Sequence, residues 1–241
     1  MRFLHTADWQ LGMTRHFLSP DAQPRYSAAR RAAITALGAV AEEHDAEFVV
    51  VAGDVFEHNR LKADVLDRSR DLLSDAPMPV VMLPGNHDPL TPDSVWIRGE
   101  LGKIDHVFLI GLETDTVRFD RHDLEIWGRA HMDYGDLNPL EDVPERSAAR
   151  QLVAAHGHFV EELPVSSGVR ASWLFTPEDI DATAADYIAL GHWNVATDVG
   201  TKDVPAHYSG SPDYAGTINL IKFGETASAT VEAVPVQEPL G

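Results

Sequence analysis

The stretch LHTADWQLG, residues 4–12, leaves an apolar start at Arg2-Phe3-Leu4 and delivers a carboxylate at Asp8 and an amide at Gln10. Four later apolar runs end in the same kind of chemistry. EFVVVAGD delivers Asp54, PVVMLPGNHD delivers Asn86, His87 and Asp88, QLVAAHGH delivers His156 and His158, and YIALGHWN delivers His192 and Asn194. Sites of open α/β sheets gather beyond the carboxyl ends of strands, so these exits are expected to meet in space. Gly53, Gly85 and Gly191 each precede a polar side chain, where a permissive backbone allows a sharp turn.

Asp, Asn and His donors in a chain without cysteine describe a metal site of mixed oxygen and imidazole ligands. Such a set suits manganese, iron(II) or zinc better than calcium, which favours all-oxygen cages. The donors are too many for one ion and suit two ions sharing a carboxylate. Two ions roughly 3.5–4 Å apart form a clamp for hydrolysing phosphate esters. Taken singly, Asp8 or Asp54 would read as a turn former, and it is the five ordered exits that favour metal. His158 alone would read as a loop histidine facing solvent. His5, His16, His44, His106, His122, His131 and His207 read as structural, His58 and Glu57 follow GDVF on a loop near the site where substrate contact is open to them, and Trp9 and Trp193 read as packing residues.

The elements that must position these side chains alternate. Apolar spacing predicts helices over Arg25–His44, Leu61–Ala76 and Asp93–Leu101. Buried strands are expected at Phe48–Ala52, Val80–Leu83, Leu152–Ala155 and Tyr187–Leu190. The second half is richer in strands, with Val107–Ile110, Leu124–Trp127, Ile218–Phe223 and Thr230–Val234 as candidates. This is the pattern of a layered α/β domain.

At 241 residues and 44% hydrophobic content, the chain is long enough for a substantial core, and no run approaches a membrane span. A start without a basic, apolar leader leads us to expect a cytoplasmic protein. The net charge of −19 opposes a nucleic-acid backbone at long range, which disfavours a non-specific DNA coat protein. It leaves room for an enzyme with a local basic rim and bound divalent cations.

DWQ, GDVF, GNHD, the histidine of AAHG, and GHWN, in that order, resemble the motifs of the calcineurin-like metallophosphoesterases. FLHTADWQLG, GDVFEHN and YSGSP (208–212) are most similar to the SbcD-type DNA repair exonucleases. The resemblance implies a single α/β domain over 1–241, a two-sheet β-sandwich flanked by helices in four layers, without the C-terminal DNA-binding cap of those nucleases. It implies that Asp54 bridges two divalent ions, with Asn86, His156 and His192 completing one ligand set and Asp8, Gln10 and Asn194 the other. His87 would protonate the leaving oxygen, and Asp88 would orient the His87 imidazole.

Two positions depart from the family pattern, which has histidine where this chain has Gln10 and Asn194. An amide oxygen is neutral like imidazole but harder and weaker, which favours manganese or magnesium over zinc. Manganese is therefore the expected metal, with magnesium, iron(II) and zinc as alternatives. One tight site and one looser site are expected. Direct ligation by Gln10 and Asn194 is weighed against contact through water.

The function implied is metal-dependent phosphodiester hydrolysis of DNA, as an exonuclease or endonuclease in repair, by in-line attack of a hydroxide held between the ions. Single strands or ends, supplied by a DNA-processing partner, fit the acidic charge best. His158, Arg15 and Arg60 are the candidates to meet substrate. Two other readings stay open: a small-molecule phosphodiesterase or phosphatase, for instance on cyclic nucleotides, and a non-catalytic scaffold with a degraded metal site. The sequence carries no signal for oligomeric state.

Overall fold

The computed structural model describes residues 1–163, 173–224 and 229–236. In chain order the first half forms β1 (Arg2–Thr6), α1 (Ala22–Glu43), β2 (Val49–Ala52), α2 (Ala63–Ser74), β3 (Val80–Leu83), α3 (Val95–Arg98) and β4 (Val107–Leu109). Then follow β5 (Thr116–Phe119), β6 (Leu124–Gly128), β7 (Arg150–His156), β8 (His158–Phe159), β9 (Leu174–Phe175), α4 (Pro177–Thr183) and β10 (Tyr187–Gly191). The chain closes with β11 (Thr197–Asp198), β12 (Ala206–Tyr208), α5 (Pro212–Ala215), β13 (Thr217–Phe223) and β14 (Ala229–Pro235).

Two six-stranded sheets carry the fold, ordered β14-β13-β1-β2-β3-β4 and β11-β12-β10-β7-β6-β5. β1 to β4 are mutually parallel, as are β12, β10, β7 and β6, while β13, β14, β5 and β11 pair antiparallel at the margins. Side chains alternate across each strand, so every central strand supplies two cores. Val49 and Val51, with Val80 and Met82, face α1 and α2, where Ile34, Leu37 and Leu73 complete a helix-on-sheet layer. Val50, Val81 and Leu83 face the second sheet and meet Ile126, Leu152, Ala154 and Tyr187. On the far side Val153, Ile188 and Leu190 pack with Ile180 of α4. Helix, sheet, sheet and helix are the four layers expected from the sequence.

The strands expected at Val80–Leu83, Leu124–Trp127 and Tyr187–Leu190 form within a residue of those bounds. The helix expected over Asp93–Leu101 is reduced to α3 and a 3₁₀ turn at Leu101–Lys103, broken at Gly99 and Glu100. α4 was not anticipated, although Thr176 and Asp179 mark its start: the Asp179 carboxylate accepts the Thr176 N–H at 2.8 Å. Among the described residues, no helix is long and apolar enough to cross a membrane.

His5 of β1 is fully buried between the sheets, with Nδ1 2.9 Å from the Tyr187 hydroxyl and Nε2 3.2 Å from the Leu190 carbonyl. Burial, reinforced by nearby His207, pushes its pKa from 6.5 down to about 3. The unfolded chain therefore takes up a proton near 6.5 that the folded chain refuses until about 3. Stability present above that window drains as pH falls through it, by up to about 1.4 kcal/mol per pH unit for one group. Urea titrations of His5→Gln should show lower stability at neutral pH and a shallower acid decline than wild type. An acid limb of unchanged slope would contradict this assignment.

Candidate metal centre and active site

Strand exits from both sheets converge at one edge, and the backbone there is unusual. Asp8, Gln10, Asp54 and His192 all have positive φ, at 54°, 44°, 52° and 108°. Non-glycine residues hold such conformations only where surrounding structure over-determines them, often at functional sites. Here the loops after β1 and β2 are bonded to one another: Asp8 N–H donates to the Gly53 carbonyl at 3.0 Å, and Gln10 N–H to that of Asp54 at 2.9 Å. Glycine at 53 and 85 is a spatial necessity. A Cβ on Gly53 would stand 2.2 Å from His156 Nδ1, and one on Gly85 2.2 Å from Asp54 Oδ1.

One donor set is closely assembled. His156 Nε2 lies 3.2 Å from Asp54 Oδ2 and 3.0 Å from Asn86 Oδ1, and His192 Nδ1 lies 3.1 Å from the same Asn86 oxygen. An ion with bonds of about 2.0–2.2 Å holds adjacent ligands roughly 3 Å apart, so these spacings fit the edges of a coordination shell. Asp8 joins the set, since one ligand atom each from Asp8, Asp54 and His156 lies within 4.8 Å of the others. All three are buried. His156 donates from Nδ1 to the Ala52 carbonyl at 2.8 Å, which turns Nε2 inward.

Electrostatics match this chemistry. Burial opposes the charge on Asp54, but His156 and His87 overcome it and hold the carboxyl below the usual range. Burial likewise opposes His156, yet Asp54 raises its imidazole to about 9. Burial pushes Asp8 up to about 7, resisted by His156 and reinforced by Asp54. His192 is driven down to about 3 by burial and then by His156, and is a neutral imidazole at ordinary pH.

His87 presents its Nε2 4.0 Å from Asp54 Oδ2 and donates its backbone N–H to Asp54 Oδ1 at 2.9 Å. Burial works against its charge, but Asp54 and Glu57 together raise its pKa, which favours the protonated ring. The expectation that Asp88 orients this ring needs correction. Asp88 accepts the N–H of Phe56 at 2.9 Å and that of Gly85 at 2.7 Å, fastening the loops after β2 and β3. It is the Glu57 carbonyl, 2.9 Å from Nδ1, that sets the His87 ring. Both Asp88 oxygens are taken up by backbone and none reaches the imidazole.

The two departures from the family pattern have other surroundings. Asn194 is exposed, and Gln10 Oε1 accepts from Arg30 Nη1 at 3.4 Å. An open cleft of about 960 Å³ leads away from His192, lined also by Arg15, His158, Trp193, Asn194 and Tyr214. His158 Nδ1 accepts the Trp193 indole N–H at 3.0 Å, and Trp193 stacks on Tyr208 at 4.4 Å. Arg15 therefore reaches the cleft, whereas Arg60 is exposed and does not line it. Trp9 is buried and packs.

Two contributors escaped the sequence reading, and a third, Glu57, acts otherwise than through the substrate contact open to it there: its backbone oxygen sets the His87 ring, which no side-chain pattern announces. His131 is buried with Nε2 2.9 Å from the His156 carbonyl, and it follows no motif. Arg30 lies mid-helix in an alanine-rich stretch that reads as an ordinary amphipathic surface.

Paired six-stranded sheets with carboxylate, amide and imidazole donors at their strand ends define a metallophosphoesterase. The profile of the calcineurin-like phosphoesterases matches residues 1–209, and the chain belongs to that family of phosphoric-ester hydrolases. It is similar to the SbcD component of the SbcCD nuclease of Bacillus subtilis (strain 168), 27% identical over 281 residues that cover 95% of this chain and 68% of that protein. Solved structures share the fold. TT1561 of Thermus thermophilus superposes with a TM-score of 0.59 at 12% identity, covering 98% of this chain and 99% of its own. A Staphylococcus aureus protein provisionally assigned as a 5′-nucleotidase, in complex with alpha-ketoglutarate, gives 0.62 at 13% identity, covering 99% of this chain and 54% of its own.

To ligate an ion, His156 must release the proton that Asp54 stabilises up to about 9. Metal affinity should therefore climb as pH rises toward that value, with proton release on binding. Calorimetric Mn²⁺ titrations at about pH 6 and pH 8, each in two buffers, read both quantities. Binding independent of pH, or binding that survives His156→Ala, would contradict the cage.

Proposed function

We propose that the protein is a divalent-metal-dependent phosphodiesterase that acts on DNA, taking single strands or ends presented by a DNA-processing partner. The observation that carries the reading is the donor set of Asp54, Asn86, His156 and His192 beside an open cleft of about 960 Å³. Similarity to the Bacillus subtilis nuclease component supports a nucleic acid as the substrate class. Manganese suits the mixed oxygen and imidazole donors best.

When bound, divalent ions supply Lewis-acid polarisation of phosphoryl oxygens and activation of water as the nucleophile. The chain's own residues do the rest. Glu57 holds the His87 ring so that Nε2 faces the centre, and His87 gives its proton to the departing oxygen. Asp88 ties the loops bearing Asp54 and His87 together, which fixes their separation. Arg15, on the cleft wall, offers a guanidinium to the next phosphate along a strand.

A second reading, a phosphodiesterase of small nucleotides, is favoured by the net charge of −19, which weakens long-range attraction of a polyanion. The two separate on a panel of single-stranded DNA, duplex DNA, a chromogenic bis-ester and cyclic nucleotides, run with several divalent ions. We expect nucleotide release from single strands with Mn²⁺. His87→Ala should lower kcat by about 10²–10⁴-fold while metal content stays unchanged. Turnover confined to the small esters would select the second reading.

A further inference from the structure

Arg30 projects from α1 into the site yet belongs to none of the motifs. The residue is only 5% exposed, and its guanidinium is held from several sides. Nη1 donates to the Trp9 carbonyl at 2.8 Å and to Gln10 Oε1 at 3.4 Å, while Nη2 donates to the Tyr26 hydroxyl at 2.6 Å and pairs with Asp213 Oδ2 at 2.7 Å. Asp213 is itself held by the Ser211 hydroxyl. A charge this deeply placed persists only when paired and hydrogen-bonded, and this one is.

We infer that the Arg30 guanidinium, and not a second divalent ion, holds the Gln10 side of the centre, so that the protein binds one divalent ion tightly per chain. The inference rests on the reading that Asp54, Asn86, His156 and His192 form a metal shell.

Three observations carry it. The donors on the His156 side stand 3.0–3.2 Å apart, the spacing a coordination shell requires. On the opposite side the oxygen that would ligate, Gln10 Oε1, is already an acceptor for a cation. An ion bound there at about 2.0–2.2 Å would face the guanidinium at close range and be repelled by its charge. Asp213 offsets part of that repulsion but is bonded to Arg30 and Ser211, which leaves it poorly placed to ligate in turn. Third, Asn194 is exposed on the cleft wall, where water competes with its amide for any ion.

The arrangement also accounts for the substitutions as a set. Imidazole at 10 would bring a ring toward the guanidinium, whereas the longer amide reaches it with an acceptor oxygen. Asp8 then serves the single ion, to whose buried Asp54 and His156 donors it lies close.

The test is metal content, measured by elemental analysis after equilibrium dialysis at low micromolar free Mn²⁺. We expect one ion per wild-type chain, lost in His156→Ala and retained in Gln10→Ala and Asn194→Ala. The double variant Gln10→His/Asn194→His should still hold one ion while Arg30 is present. Adding Arg30→Met to that pair should raise the count to two. If that triple variant fails to fold, the wild-type count and the Gln10→Ala count decide the matter. Two ions per wild-type chain, an ion lost from Gln10→Ala, or two ions in the double variant would each overturn the inference. Wild-type protein that retains no ion would instead overturn the metal reading itself, and the inference with it.

Discussion

The His156 ring ties the two sheets together at the point where chemistry is expected. From β7 it donates to the Ala52 carbonyl of β2 in the other sheet, and its second nitrogen meets the Asp54 carboxylate that follows β2. The ring therefore registers one sheet against the other to within a hydrogen bond. Everything near it yields to that contact. Position 53 admits only glycine beneath the ring, and Asp54 accepts a positive φ so that its carboxylate can turn toward Nε2. A buried carboxylate and imidazole are costly unless each satisfies the other or both satisfy a cation. The fold thus maintains a site whose natural completion is a metal ion.

Around that contact the loops are braced by backbone bonds. The turns after β1 and β2 run together through Asp8, Gln10 and their partners, and Asp88 spans the turns after β2 and β3. Rigid loops hold donors at fixed separations, which is what a metal shell and a proton donor need. The core beneath explains the rigidity: four consecutive valine or alanine positions of β2 are shared between a helix layer and the opposing sheet. The open side beyond His192 carries Arg30, Asn194 and Asp213 on its wall, with the Arg30 guanidinium paired to the Asp213 carboxylate.

The acidic surface and the proposed polyanionic substrate are compatible on physical grounds. Long-range attraction is weak for a chain of net charge −19, but binding within the cleft depends on charges inside a Debye length. Arg15 and Arg30 lie there, and bound metal adds further positive charge. Such an enzyme would select substrate by close contact rather than by electrostatic capture.

Strand exits carrying Asp54, Asn86, His87, His156 and His192 were legible in the sequence, because a short apolar run names a buried strand and the first polar residue beyond it names the site. The layered fold and the family followed from the same five exits. Helix margins were less legible: Gly99 and Glu100 interrupt a stretch whose apolar spacing continues past them. What the chain order could not decide were contacts made by backbone atoms or by residues distant in sequence. The Glu57 carbonyl sets His87 although Asp88 is its neighbour, and Arg30 reaches Gln10 from the middle of a helix whose pattern only says which face is buried. Sequence records the type and order of side chains, and so determines which donors are available. Distances of about 3 Å between donors on different sheets arise only from packing, so the tertiary structure alone decided which donors converge and which turn to another partner.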